Sequence, residues 1–279
     1  MAITKAQAVN WSMKMKVEAQ EASIGLQLAD TSYQVDSIGA KTIKIIGVST
    51  PTINTYVPGA GLTYEKLTDN ETDLNIDQMH DFAIEVNEVE ELQSTPDYAP
   101  VALNKAAKEL ALTADKYLFG INTYGDANIP ADNKQGTLAV PLVASTSNVE
   151  ELLDNMAVAL RENHVTDGVT VVVNPKFMSL IRRAKLGTVT DNSEVWNNRT
   201  VAKYAGMTIV ESTEVAKDPT ADGYQILAFS DRALPVAATT QKVESLMNPN
   251  DFGELYRGLY VFGSTVLFPE EVAVLSVTI

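Results

Sequence analysis

The sequence predicts a protein of the α+β class, with a long β segment, one long helix and a layered α/β region. Three observations support this prediction. Residues 37–89 are rich in β-branched and turn-forming residues, and residues 95–121 carry the longest helical repeat of apolar side chains. From residue 146 onwards, helix and strand patterns alternate and then give way to a β-rich return toward the C-terminus.

The composition indicates a folded protein that does not bind nucleic acid tightly. The 279 residues are 45% hydrophobic and 20% charged, which is typical of globular domains and not of disordered chains. Lys and Arg total 21 against 36 for Asp and Glu, a formal net charge of −15, whereas tight phosphate binding needs clustered cations.

The sequence also excludes sites that depend on cysteine, and it lacks the signals for secretion or membrane insertion. Because the chain has no cysteine, it can form no disulfide, thiolate metal site or cysteine nucleophile. The N-terminus lacks the apolar run of a secretory signal, and no stretch reaches eighteen apolar residues. We therefore expect a soluble protein that is intracellular when it is made.

Residues 1–36 are predicted to form an N-terminal arm ahead of the main body. From Lys5 to Ala29, the apolar residues fit both a helical stripe and a strand-like alternation, and we favour a helix with a loose start. Few residues are available to bury this arm within its own chain.

The next segment, residues 37–94, is predicted to be a long β ribbon. Strands are predicted at Ile38–Ile46 and Thr52–Val57, and a third strand follows a polar, acidic stretch from Glu65 to Asp77. In this third strand the apolar side chains occupy alternate positions, at Phe82, Ile84 and Val86. A ribbon with at most one apolar face is marginal in water unless another surface packs on it.

Residues 95–145 are predicted to contain the longest helix, introduced by Thr95, Pro96 and Asp97. Apolar side chains recur in it at spacings of three and four, so one face should be buried for over five turns. These side chains are Leu103, Ala107, Leu110, Ala114, Tyr117 and Ile121.

Residues 146–238 are predicted to be a layered α/β domain. Its first helix spans Ser147–Asn163, with Ser147 as the N-cap and Glu150 completing a capping box. The helix should direct Val149, Leu152, Leu153, Met156 and Leu160 inward. An unbroken β-branched run at Val169–Val173 indicates a strand covered on both faces, and a helix follows from Asn174 and Pro175 through Ala184.

The C-terminal third is predicted to consist mainly of short strands. Two strands at the end of the α/β domain are predicted at Met207–Glu211 and Gln225–Phe229. The return segment, residues 239–279, is predicted to contain strands at Tyr256–Phe262, Ser264–Leu267 and Val272–Val277.

Residues that could carry chemistry are sparse, and we predict no catalytic, cofactor or metal site. Only His80 and His164 could shuttle protons, and neither lies in a catalytic motif. Gly59-Ala60-Gly61 lacks both the third glycine and the following helix of a phosphate-binding loop. We therefore predict that the protein is not an enzyme.

An acidic cluster gives the alternative hypothesis of a metal-dependent hydrolase. Asp69, Glu71, Asp73 and Asp77 lie close enough in sequence to suggest a calcium loop, and Asp69, Asp73 and Asp77 could converge with His80. However, Leu74 occupies the position where the sharp turn of a calcium loop requires glycine, and His80 stands in place of the closing glutamate.

A small basic cluster lies on or after the third helix. It consists of Lys176, Arg182, Arg183 and Lys185. Such a cluster is typical of a solvated helix face, and the alternative is a charge partner for acidic segments of a neighbouring subunit.

Five motifs in a fixed order carry a resemblance to a known family. They are Ile76-Asp77-Gln78 with Phe82 through Asn87, the helix 100–121 ending in Leu112 through Tyr117, Val171-Val172-Val173-Asn174-Pro175, Lys203-Tyr204-Ala205-Gly206-Met207, and Arg257 through Gly263 followed by Val266, Pro269 and Val274. Between about Ser37 and Ile279, the chain resembles the major capsid proteins of tailed bacteriophages, which have the Hong Kong 97 coat fold.

The resemblance implies a division of the chain into the parts of that fold. They are an N-terminal arm at 1–36, an E-loop with flanking strands at 37–94, a P-domain with a spine helix at 95–145, an A-domain at 146–238 and the return strands of the P-domain at 239–279. The chain starts almost at the arm, so the resemblance implies a separate scaffolding protein.

The resemblance also implies a function. It implies a structural protein that assembles through hexamers and pentamers into an icosahedral phage head, enclosing double-stranded DNA without reading its sequence. The implied partners are other copies of the chain, a scaffolding protein, a portal and a decoration protein, with no membrane and no cofactor. The implied location is the virion capsid, assembled in the host cytoplasm.

Two alternatives remain within the family resemblance. An encapsulin-like nanocompartment shell shares the fold but encloses cargo enzymes. Some capsid proteins also fuse neighbouring subunits through a lysine-to-asparagine bond, and Lys41, Lys44 and Lys66 lie in the E-loop region. We do not predict such fusion, because the sequence identifies no matching asparagine and carboxylate.

Overall fold

A computed structural model describes residues 23–33, 41–49, 51–56, 61, 64–87, 98–121, 126–184, 200–218, 222–249 and 251–279. Within these ranges the helices are α1 Gly25–Leu28, α2 Tyr98–Leu118, α3 Val149–Glu162 and α4 Pro175–Ala184. The strands are β1 Thr42–Val48, β2 Asp69–Asn75, β3 Gln78–Asn87, β4 Lys134–Gln135, β5 Leu142–Val143, β6 Val169–Val173, β7 Thr200–Tyr204, β8 Met207–Glu211, β9 Tyr224–Ser230, β10 Val236–Met247, β11 Gly253–Ser264 and β12 Val272–Thr278.

The largest layer is a mixed seven-stranded sheet. Its strands lie in the order β4, β12, β9, β6, β8 and β7, with β5 also pairing with β12. β6 runs parallel to β8 and antiparallel to β9. All residues of β6 and β9 are buried, so the prediction that Val169–Val173 is covered on both faces is confirmed.

Two apolar clusters cover the two faces of this sheet. On one face, α3 and α4 pack their apolar stripes against side chains such as Val171, Ile226 and Leu275. On the other face, the end of α2 and the residues after it, including Phe119 and Ile121, pack against Phe229. The inward-facing residues predicted for the first helix of this region are all buried.

A second, antiparallel sheet has the strand order β10, β11 and β3. β3 pairs with β11 along its whole length, from Gln78 opposite Phe262 to Asn87 opposite Gly253. The long helix α2 packs on this sheet through clusters that include Leu103 and Phe262. The predicted long helix is therefore confirmed, and it ends at Leu118, before the predicted Ile121.

The helix ends were predicted with mixed success. At the start of α4, the Asn174 Oδ1 atom accepts a hydrogen bond from the Phe177 amide at 2.8 Å, as expected of an N-cap. The predicted capping box of α3 is wrong. The helix begins at Val149 with Asn148 at the N-cap position, and the Asn148 Oδ1 atom accepts from the Ser145 amide at 2.7 Å, closing the preceding turn.

Several strand predictions are wrong for identifiable reasons. Residues 52–56 form no strand, and the acidic segment Asp69–Asn75 pairs with β1 instead. This strand was not predicted because most of its side chains are polar and solvated, so it lacks the alternation of apolar residues. The predicted strand at Ser264–Leu267 is also absent, because β11 ends at Ser264 and the chain then turns to bury Val266.

The sequence also missed elements and one sheet assignment. β7 and β10 were not predicted. Val272–Val277 was predicted among the return strands of residues 239–279, whereas β12 lies inside the seven-stranded sheet beside β9. The predicted domain boundaries stay a prediction.

Within the described ranges, no helix is both long and apolar enough to cross a membrane.

A buried carboxylate ties β12 to the end of β9 and gives a pH-dependent stability. Glu271 accepts hydrogen bonds from the Ser230 hydroxyl and the Arg232 guanidinium. Burial raises the pKa of Glu271, but these hydrogen bonds and the Arg232 charge outweigh it and hold the pKa below its ordinary value of 4.5. A depressed pKa contributes stability above the unfolded-state pKa, which is lost as the pH falls through the folded-state pKa.

We therefore expect Glu271→Gln to remove part of the acid sensitivity of the fold. The free energy of unfolding should fall less steeply in the variant than in the wild type as the pH drops below about 4.5. Urea unfolding at several pH values measures this slope. If the free energy of unfolding fell equally steeply with pH in the two proteins, the pKa of Glu271 would not be lowered in the folded state.

Candidate functional site

The candidate interaction site is a two-stranded ribbon. β1 and β2 pair in antiparallel register from Thr42 opposite Asn75 to Val48 opposite Asp69. We call residues 41–56 and 64–77 the ribbon. Large apolar side chains on it are exposed, with Ile53 at 92%. They are Ile46, Val48, Ile53, Tyr56, Tyr64 and Leu67.

The base of the ribbon is fixed to the body by one of its faces. Ile43, Ile45 and Leu74 point to that face and join a cluster with Ala237 and Val261. Leu74 is fully buried. The ribbon is therefore anchored at its base, while its distal part presents apolar side chains to solvent.

A glycine allows this close approach. A Cβ atom added at Gly263, near the end of β11, would lie 1.9 Å from the carbonyl oxygen of Asn75 and 2.8 Å from the Ile76 Cα atom. Such distances are not tolerated between real atoms, and both neighbours are backbone. Only glycine fits where β11 passes the base of the ribbon.

The opposite face of the ribbon is acidic. Side chains alternate between the faces of a strand, so Lys44, Ile46 and Val48 share a face with the side chains of the paired residues Asp69, Glu71 and Asp73. We call this set the acidic face. The Lys44 Nζ atom lies 2.8 Å from a Glu71 carboxylate oxygen, and the hydrogen bond to Glu71 with the Glu71 and Asp73 charges raises the pKa of Lys44.

This arrangement does not support the calcium loop or the acidic hydrolase. Asp69, Glu71 and Asp73 lie on an extended strand and not in a loop that could wrap an ion. The His80 ring stacks on Phe262, with 5.5 Å between ring centroids. Among the described residues, no group of three His, Asp or Glu side chains could hold a metal ion.

The first described segment is held by a buried carboxylate on α2. Asp115 is 1% exposed and accepts hydrogen bonds from the Ser23 hydroxyl and from the amides of Ile24 and Gly25, both at 2.9 Å. We call these four residues the arm clamp. Burial raises the pKa of Asp115 above its ordinary value, against the hydrogen bonds from residues 23–25.

The clamp positions the arm at one point of α2. A Cβ atom at Gly25 would lie 2.7 Å from a Leu118 methyl carbon and 2.8 Å from an Asp115 oxygen, so the backbone passes close to the helix. Leu26, which follows, is buried in the cluster below the sheet. Asp115 and Gly263 both lie in motifs that carry the family resemblance, but neither was predicted to have these roles. The one available signal for Asp115 was a charged residue beside the apolar face of the helix.

The other singled-out residues are dispersed. His164 is exposed at the end of α3. Arg182 pairs with Glu211 at 3.1 Å, and the Lys176 ammonium lies over the Tyr224 ring. Lys41 and Lys66 are exposed, while Gly59, Ala60, Lys185 and residues 1–22 lie outside the described ranges.

The known proteins that match this chain do so by structure. No protein-family model and no curated protein sequence matches the chain. Solved structures do match. One from Mycobacterium phage Che8 has 24% sequence identity and a TM-score of 0.69, covering 91% of this chain and 90% of that one.

Two further structures agree with the first. The capsid structure of the cyanophage P-SCSP1u has 17% identity and a TM-score of 0.68, covering 90% of this chain and 86% of that one. The mature capsid of bacteriophage PhiM1 has 14% identity and a TM-score of 0.65, covering 92% and 87%. The chain therefore has the α+β fold of the major capsid proteins of tailed bacteriophages.

Proposed function

We propose that this chain is the major capsid protein of a tailed phage. Copies assemble through hexamers and pentamers into an icosahedral head that encloses double-stranded DNA. The ribbon carries this proposal, because it combines an anchored base with six exposed large apolar side chains. The capsid structures with the same fold support it.

The ribbon leaves large apolar side chains in water. Contiguous apolar patches on soluble proteins mark interaction sites, and a two-stranded ribbon is marginal in water unless something packs on it. An adjacent copy of the same chain supplies the missing surface. Head-to-tail contacts of this kind close into rings, and weak contacts suffice when many act together.

The proposed role is structural and non-enzymatic, in the virion capsid, with assembly in the host cytoplasm. The proposed partners are a separate scaffolding protein, a portal and a decoration protein. DNA is contained without sequence reading, which fits the formal net charge of −15. The encapsulin-like alternative is not favoured, because the structures that match are mostly phage capsids.

The net charge predicts that assembly depends on salt. Subunits that each carry −15 repel one another, and the screening length falls from about 30 Å at 0.01 M salt to about 8 Å at 0.15 M. We expect the yield of closed particles from purified protein to rise over this range, as counted by negative-stain electron microscopy. A compact monomer at high concentration, with no particles at any salt concentration, would contradict the proposed function.

A further inference from the structure

The solvent side of α2 carries a regular row of lysines. Five residues follow one another there at spacings of three and four, so they lie on one face of the helix. All five are exposed, and we call them the lysine stripe. They are Val101, Lys105, Lys108, Leu112 and Lys116. The buried side of the same helix lies opposite and carries Leu103, Ala107, Ala114 and Leu118.

The stripe presents positive charge that its own subunit does not neutralise. None of its three lysines has an ion-pair partner among the described residues. Other exposed basic side chains differ, because Arg182 pairs with Glu211 at 3.1 Å and Lys217 pairs with Asp222 at 2.6 Å. The one acidic residue on this side of α2 is Glu109, at the edge of the stripe.

The stripe has the charge and the length of a contact with a phosphate backbone. Lys105 and Lys116 lie about 16 Å apart along the helix axis. Double-stranded DNA carries one negative charge per about 1.7 Å of its axis, so a segment of this length presents on the order of ten phosphates. Lysine binds phosphate as a point charge and needs no particular orientation. Three lysines in a row therefore suit a partner with closely and evenly spaced negative charges.

The apolar members of the stripe do not form the core of a protein interface. Val101 and Leu112 lie about 16 Å apart along the helix, and lysines lie between them. The buried core of a protein interface is a contiguous patch from which charged residues, lysine in particular, are depleted. The composition of the stripe therefore favours a nucleic acid over a second protein.

We infer that the lysine stripe contacts the phosphate backbone of the enclosed DNA. The inference rests on the proposed function, which encloses DNA in the head, and it adds the surface that touches the DNA. Each contact is weak, because without its three lysines the subunit would carry a net charge of −15 − 3 = −18. Many copies act together, and phosphate contacts carry no sequence information. The DNA is thus held against the shell at no fixed sequence.

Binding to a short duplex tests the contact on the purified chain. The stripe variant carries Lys105→Gln, Lys108→Gln and Lys116→Gln. For wild-type protein and a duplex of mixed sequence, the logarithm of the association constant should fall with the logarithm of salt concentration at a slope of about −2.7, or about −0.9 for each of three phosphates. The stripe variant should bind at least tenfold more weakly at about 0.05 M salt, with a slope close to zero, as measured by fluorescence anisotropy.

A matched control separates the stripe from the effect of net charge. Lys66→Gln, Arg183→Gln and Lys203→Gln remove the same charge at three exposed positions outside the stripe. This control variant should keep the wild-type slope and bind DNA within about threefold of the wild type. Equal weakening of DNA binding in the two variants would overturn the inference. So would a wild-type chain that binds no duplex even at about 0.01 M salt, where electrostatic attraction is least screened.

Particle assembly separates a contact with DNA from a contact between proteins. The stripe variant and the control variant carry the same net charge, so they should give the same yield of closed particles by negative-stain electron microscopy. Loss of particles in the stripe variant alone would mean that the stripe packs on protein, which would overturn the inference. A chain that binds DNA through the stripe but forms no particles would contradict the proposed function alone. Closed particles from a chain whose DNA binding does not depend on the stripe would contradict the inference alone.

Discussion

Gly263→Ala is expected to cost about 3 kcal/mol of folding free energy or more, at the upper end of overpacking substitutions. The added Cβ atom would lie 1.9 Å from the Asn75 carbonyl oxygen. β11 cannot shift easily here, because Gly263 is paired with Ala237 of β10 and the adjoining Phe262 is paired with Gln78 of β3. We expect the melting temperature to fall by on the order of 10 °C, with loss of particles, as measured by calorimetry and electron microscopy.

Gly47→Ala is the matched control, since it places a Cβ atom on the ribbon itself. The nearest atom to that Cβ would be the Asn70 carbonyl oxygen at 3.7 Å, an ordinary contact. This variant should keep a melting temperature close to that of the wild type. If both alanine variants were equally stable, β11 would not pass the ribbon base as closely as the structure places it.

Asp115→Ala is expected to release the arm clamp and to cost about 2 kcal/mol. The substitution leaves the Ser23 hydroxyl, the buried Gly25 amide and the partly buried Ile24 amide without this acceptor. Part of this cost is offset, because the ionised carboxylate was itself unfavourable in its buried site. Hydrogen exchange of the Ile24 and Gly25 amides should become at least tenfold faster, while exchange in β6 should stay unchanged.

Asp115→Asn separates the loss of charge from the loss of the acceptor. The amide keeps one oxygen that can accept from residues 23–25, so protection of these amides should be intermediate between the wild type and Asp115→Ala. Unchanged exchange at Ile24 and Gly25 in Asp115→Ala would mean that these amides do not depend on the carboxylate.

Periodic patterns in the sequence predicted the parts of the fold that depend on local repeats. The stripe from Leu103 to Ala114 was sufficient for the long helix, and the run Val169–Val173 was sufficient for a buried strand. Asp69–Asn75 was not recognised as a strand, because only Leu74 among its residues is buried. Its conformation is set by pairing with β1, and no local property of an acidic segment reports that pairing.

By itself, the sequence determined the α+β class, the order of arm, ribbon, long helix and α/β layer, and the net negative charge. Only the tertiary structure decided that β12 lies beside β9, that Asp115 binds residues 23–25 and that Gly263 allows the ribbon base to approach β11 closely. The physical reason is that apolar periodicity is a local property, which can be read from neighbouring residues in the sequence. Strand partners, buried hydrogen bonds and close backbone approaches join residues far apart in sequence and exist only once the chain has folded.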